Sequence, residues 1–192
     1  MPRAGLTETR VVAEGERVAD EVGLEHLTLA ALAQRLGVRQ PSLYKHIAGI
    51  DGLRRSIALR AKEELAGVLG RAAVGRARAD AITAMARAYR AWAHEYPGRY
   101  SAAQRAPVVG DVDDETASAA VVQVAFDVMA GYELRDNDAV DAIRALRAAL
   151  HGFVTLEAGG GFGMPVDVDR SFDRLVGGLA TAFAGWSRNS KA

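Results

Sequence analysis

The chain has 192 residues, with 24 basic and 24 acidic side chains, a formal net charge of zero and no cysteine. It is 49% hydrophobic and 25% charged, an ordinary globular composition in a chain long enough to bury roughly 70% of its unfolded surface. Disulfide scaffolds and thiolate metal sites are thereby excluded, and no run of about 18 apolar residues is present to cross a membrane. Met1-Pro2-Arg3-Ala4-Gly5 leads into a charged segment and not into an apolar signal core, so a cytoplasmic protein is expected.

Alanine, the best helix former, is the commonest residue, and Val, Ile and Thr nowhere alternate with polar residues as a half-buried strand requires. The expected fold is all-α, with about nine helices. Thr7 opens the first, whose face carries Val11, Gly15, Val18 and Val22, and Gly23 ends it. Thr28 caps a short second helix, Leu29 to Leu36, closed by Gly37, and a third runs from Gln40 to His46 with Pro41 in its first turn. A break over Ala48–Gly52 precedes a long helix from about Asp51 to Gly70. The next ends at Tyr96 and sets Ile82, Met85, Tyr89 and Trp92 on one face before Pro97-Gly98 stops it. A short turn of helix over Arg99–Arg105 and a loop over Pro107–Asp114 follow. The acidic end of that loop suits the start of a helix carrying Val121, Val124, Val128, Met129 and Tyr132. Two more helices, about Asp138–Ala158 and Asp169–Ser187, flank a glycine-rich connection at 159–165. No internal repeat is present.

The informative stretch is Leu29 to Ile47. Two short helices joined by a tight glycine turn are the pattern of a helix-turn-helix. Ala33 is small where the helices must cross, Gly37 can take the positive φ of the turn, and Leu32, Leu36, Val38, Leu43 and Ile47 make a small core. Arg39, Gln40, Ser42, Tyr44, Lys45 and His46 are left facing outward. No acid occurs between Glu25 and Asp51, while Arg35, Arg39 and Lys45 lie inside that window. A locally basic face on a neutral protein is what phosphate contact requires. An ordinary helical hairpin with a solvated polar face has the same pattern.

The block Leu36-Gly37-Val38-Arg39-Gln40-Pro41-Ser42-Leu43-Tyr44-Lys45-His46 closely resembles the DNA-binding signature of the tetracycline-repressor (TetR) family. The resemblance covers about residues 7–60. Leu150-His151-Gly152-Phe153, with Leu156-Glu157 and the glycine loop, looks like the C-terminal regulatory domain of one branch of that family. The resemblance implies that Thr28 caps its helix and touches a phosphate, the cap alone being its other reading. It also implies that Gln40 and Ser42 face base edges beside Arg39, and that Tyr44, Lys45 and His46 hold the backbone, with Pro41 at the start of the reader. Gln suits the N6/N7 edge of adenine and Arg the O6/N7 edge of guanine. One departure stands out: Ile50 occupies the position where the family commonly has a phosphate-contacting Lys, for which Arg54 or Arg55 is a substitute to be tested.

Catalytic readings are weak. Gly159-Gly160-Gly161-Phe162-Gly163 follows a helix, has no preceding strand and lacks a Gly-Lys-Ser/Thr completion, so it reads as a helix connection. His26, His46, His94 and His151 include no pair at metal-ligand spacing, and no Gly-x-Ser-x-Gly occurs. No metal or cofactor is expected. The division expected is a DNA-binding domain over 1–50 and a helical ligand-binding and dimerisation domain over 51–192. Met85, Tyr89, Trp92, Phe126, Met129 and Tyr132 lie on two long helices. They are read as an apolar effector pocket to which Tyr100 and His151 lend polar groups, or as plain core. The resemblance favours the pocket. The whole then reads as a repressor that binds a palindromic duplex operator as a homodimer through its last two helices and is released by a small, mainly apolar ligand. The alternative is a helical carrier or enzyme whose N-terminal hairpin is only structural.

Overall fold

The computed structural model describes residues 5–189; Met1-Pro2-Arg3-Ala4, on which the reading of the N-terminus rests, lie outside the described residues. Among the described residues the protein is all-α. Its elements are α1 (Glu8–Val22), α2 (Leu29–Leu36), a 3-10 helix (Gln40–Lys45), α3 (Gly49–Ala73), α4 (Arg78–Glu95), α5 (Pro97–Ala103), α6 (Val112–Ala130), α7 (Asp136–Ala158) and α8 (Val168–Asn189). They form two compact units: one holds the chain up to Glu64 together with Glu95–Ser118, the other Leu65–His94 together with the chain from Ala119 onward.

In the first unit the local signals act where the sequence puts them. The Thr7 hydroxyl accepts the Arg10 amide and that of Thr28 accepts the Ala31 amide, both at 3.2 Å, so each helix start has one otherwise orphaned donor satisfied. Gly37 sits at φ 67, and the amides of Gly37 and Val38 close the end of α2 on Gln34 and Ala33. Val11, Leu32, Leu43, Leu53 and Ile57 are fully buried in one core, against which Leu36, Val38 and Ile50 pack in part. Each such fully buried side chain stabilises the unit by roughly 1.5–3 kcal/mol. Ala102 of α5 belongs to the same core, so the hairpin is supported by a segment far along the chain.

The segment after the turn is a 3-10 helix where the sequence reading has only a short helix. The Ser42 amide bonds Arg39 and the His46 amide bonds Leu43, at a three-residue spacing. Pro41 has no donor to offer, and the tighter three-residue spacing is common in short pieces of helix.

The second unit is built on large apolar side chains of α4, α6, α7 and α8. Ile82, Met85, Met129, Leu146, Phe172 and Phe183 are all nearly inaccessible. The Phe153 ring packs on Phe172 at 5.0 Å, and the Arg90 guanidinium lies over Phe172 at 4.8 Å while pairing with Glu157 and Asp169. The glycine connection is ordered by local bonding: the Gly161 amide donates to Leu156 at 2.7 Å and Phe162 packs on Phe153.

Candidate nucleic-acid interface

The reader is carried by two buried anchors. Leu43 is fully inaccessible and Ile47 nearly so, and between and around them the chain must turn its other side chains outward. Arg39, Gln40, Pro41, Tyr44 and Lys45 are exposed, and Ser42 and His46 are half-buried. Tyr44 keeps 56% of its surface open, a large exposure for an aromatic residue. Thr28 is exposed at the start of α2 with its hydroxyl engaged as the cap. Among the described residues, no hydrogen bond or ion pair engages the side chains of Arg39, Gln40, Tyr44, Lys45 or His46. These groups have donors and positive charge without an intramolecular use for either.

The neighbouring arginines differ. Arg35 donates both terminal nitrogens to Glu21 at 2.7 Å and its Nε to Glu14 at 3.1 Å. These bonds raise the guanidinium pKa further and hold Glu21 below the ordinary carboxylate range. The basic window therefore loses Arg35 to acids on α1, outside the window itself. Arg55 is bound bidentately by Asp111 and reaches Asp113, and the bonds from Arg55 push Asp111 down to about 2. Arg54 spends a terminal nitrogen on the carbonyl of Glu25. Arg55 is thus committed internally, whereas Arg54 pairs with no acid among the described residues and its Nε is buried without a hydrogen-bond partner; Ile50 itself packs on the core.

The residues read as a pocket divide between the units. Met85, Tyr89 and Trp92 are buried on α4, Met129 and Tyr132 are buried on and just after α6, and Phe126 and His151 are half-buried. Tyr100 is buried on α5 and belongs to the first unit. Tyr132 lies edge-on to Phe183 at 6.2 Å, and its hydroxyl is buried with no hydrogen-bond partner. One surface cleft of the second unit is lined instead by Arg87, Arg90, His94, Asp169, Phe172 and Asp173, and its two arginines are paired with acids. No group of three His, Cys, Asp or Glu suited to hold a metal occurs among the described residues, and no described helix is long and apolar enough to cross a membrane.

Sequence reading missed three charge clusters in the first unit. Lys62 is buried against Asp114, which also accepts from Arg105 and the Val108 amide. Arg60 pairs with the buried Glu16. Arg99 joins Asp20 and Glu64. All link positions far apart in the chain, which no spacing rule detects.

The chain matches a family model described as the tetracyclin repressor-like C-terminal domain over residues 82–179. It is 39% identical to an uncharacterized HTH-type transcriptional regulator of Mycobacterium tuberculosis, Rv0681, over 97% of this chain and 84% of that one. A second HTH-type regulator, YobS of Bacillus subtilis, is 33% identical over 99% of this chain and 97% of its own. Among solved structures, the regulatory protein SCO4313 aligns with a TM-score of 0.71 at 28% identity, covering 90% of this chain and 96% of that one. A single-site variant of TetR from Acinetobacter baumannii AYE in complex with minocycline aligns with a TM-score of 0.68 at 25% identity, covering 96% and 98%.

Proposed function

Because the chain belongs to the TetR family of HTH-type transcriptional regulators, we propose that it is a cytoplasmic repressor that binds a palindromic operator as a homodimer and is released by a small, mainly apolar ligand. It acts by binding, without catalysis. Residues 1–50 carry the DNA contacts and residues 51–192 the effector and the dimer contacts, a division of roles that crosses the packing of the two units. In this reading Gln40 and Ser42 read base edges with Arg39 beside them. Thr28, Tyr44, Lys45 and His46 hold the phosphate backbone, and Pro41 fixes the start of the reader.

The observation that carries the reading is the set of exposed side chains on the 3-10 helix without intramolecular partners, beside arginines that are already neutralised. Charge left open on the exposed side of the turn segment of a neutral protein supports a contact with phosphate. The dimer is supported by α7 and α8: Gly152 on the one and Gly177 and Gly178 on the other have open space where a side chain would stand, and Trp186 is 37% exposed. The effector is supported by the Tyr132 hydroxyl, because a buried unsatisfied donor costs about 1–3 kcal/mol that a ligand acceptor would recover. The minocycline complex of the related structure is in keeping with a ligand-bearing helical half.

Selection of duplexes from random DNA by the purified protein tests the reading. A palindrome with half-sites about 34–36 Å apart is expected, together with a dimer by light scattering and a steep fall of affinity with salt. Equal affinity for selected and random duplexes would sink it.

A further inference from the structure

The start of α5 is fitted onto α1 so closely that only glycine is tolerated. A Cβ on Gly98 would lie 2.1 Å from the carbonyl carbon of Ala19 and 2.5 Å from the amide nitrogen of Asp20. Relief would have to come from backbone, because no flexible side chain stands in the way. The next residue fastens the contact. The Arg99 amide donates to one oxygen of Asp20 at 2.9 Å and its Nε to the other at 2.8 Å. A terminal nitrogen of Arg99 reaches Glu64 of α3 at 2.9 Å, and the guanidinium stacks on Tyr96 at 3.6 Å. Arg99 and Asp20 are largely shielded from solvent, with side-chain exposures of 17% and 12%, so salt screens this pair less than a surface one.

The residue after Asp20 is Glu21, which holds Arg35 of α2 in a bidentate pair. Two adjacent carboxylates at the end of α1 thus grip two different elements: Asp20 takes α5, and Glu21 takes the first helix of the hairpin. From α2 the chain passes through the Gly37 turn directly into the 3-10 helix that bears Gln40 and Lys45. We propose that Asp20 and Glu21 are positioning residues for operator recognition, forming a relay in which α1 transmits the placement of α5, set by Gly98 and Arg99, to α2 and the reader. α5 follows α4 after Tyr96, and the last turn of α4 is itself pinned to α7, where Arg90 and His94 share Glu157.

The test is a double-mutant cycle between Arg99→Met and Arg35→Met on affinity for a selected operator. The hydrogen exchange of the DNA-free protein is followed in parallel. Residues without a shared partner contribute independently, so coupling between the two is diagnostic of the relay. Each single variant is expected to weaken operator binding about tenfold, within the 5–150-fold typical of coupled sites, with the salt slope unchanged. The double variant should be little worse than either alone, and Arg99→Lys should recover part of the loss. Exchange should rise over residues 40–47 in Arg99→Met although the substitution lies on α5. Multiplicative losses in the double variant, operator affinity within about twofold of wild type in the singles, or exchange changes confined to 96–103 would each overturn the relay. Should Arg99→Met not fold, the isosteric Asp20→Asn takes its place in the same cycle. The relay rests on the family's DNA binding and not on individual base contacts. If Gln40→Ala leaves base preference intact, the reader assignment fails while the cycle still decides the relay.

Discussion

The first unit has two populations of charge that differ in what they are bound to. Around α1, α3 and the start of α6, cations are consumed internally: Lys62 by Asp114, Arg60 by Glu16, Arg99 by Asp20 and Glu64. On the 3-10 helix and just before it, Lys45 and Arg39 have no internal partner among the described residues. An internal pair holds elements together, and breaking it leaves a carboxylate stranded in a poorly solvated place. An open cation contributes little to the fold and is available to an external anion. Charge count therefore says little about DNA contact in this protein. Pairing says much more, because it removes Arg35 and Arg55 from a basic face that a tally would have assigned to them.

The largest effect expected from breaking this contrast is at Lys62. Its side chain is 3% exposed and Asp114 is fully buried, so Lys62→Ala leaves the carboxylate with Arg105 and the Val108 amide and removes the donor that Ser118 Oγ accepts from. Urea denaturation should show a loss of about 3–5 kcal/mol. A loss under about 1 kcal/mol would show that the remaining donors suffice and that this pair behaves like a surface one.

Acid should unpick the same population next. Burial raises the Asp114 pKa, but hydrogen bonds from Lys62 and the Val108 amide outweigh it, so the net direction is down. Asp111 is held at about 2 by Arg55. For a carboxylate depressed in the folded state, the unfolded chain binds protons more readily. Its stabilisation is complete above the ordinary value of 3.8 and is lost as pH falls through the folded one. Thermal unfolding followed between about pH 5 and pH 2 should show the midpoint falling, and Asp111→Asn should flatten the slope at the acid end. An unchanged slope in the variant would mean that the Arg55 pair contributes nothing in solution.

Much of the fold was legible because its signals are local. Thr7 and Thr28 cap helices that begin one residue later, Gly23 and Gly37 end them, and the spacing of Met85, Tyr89 and Trp92 marks a buried face. The family followed from eleven residues around the turn, and the comparisons over the whole chain agree with it. What was not legible is non-local. The acids that claim Arg35 precede it by 14 and 21 residues on another helix, and Asp20 is 79 residues from Arg99. Phe126 shares the spacing of its buried neighbours yet is only half-buried, because periodicity gives a face and not the depth of what covers it. The close approach at Gly98 left no trace either, since a glycine after a proline reads equally well as a helix stop.

Among the open groups, the reader should separate into two kinds. Gln40→Ala should cost about 1–3 kcal/mol of discrimination at one position per half-site and little on random DNA. Lys45→Ala should weaken all duplexes alike and lower the salt slope by about 1. Arg35→Ala sharpens the contrast: with its guanidinium committed to Glu21 and Glu14, it should leave the slope where it was. Binding measured at four or more salt concentrations on selected and random duplexes reads all three. A slope change in Arg35→Ala would place that side chain on phosphate despite its internal partners.

The smallest effect expected is a gain. Ile50 stands where related regulators commonly have a phosphate-contacting Lys, and of the two arginines that follow it Arg55 is committed to Asp111. Ile50→Lys would add one open cation at the entry to α3, next to Gly49 at φ 70. Ile50 is only half-buried at the edge of the core, so the substitution forfeits part of one side chain's burial, about 1 kcal/mol, and the long lysine stem can cover some of the same surface. Affinity should rise slightly for selected and random duplexes together, and the salt slope should steepen by about 1, the signature of one added phosphate contact. A variant that keeps its fold and its slope would show that position 50 does not overlie the backbone. Open charge would then be necessary for contact without being sufficient, and placement of the reader by α1 and α5 would carry the remainder.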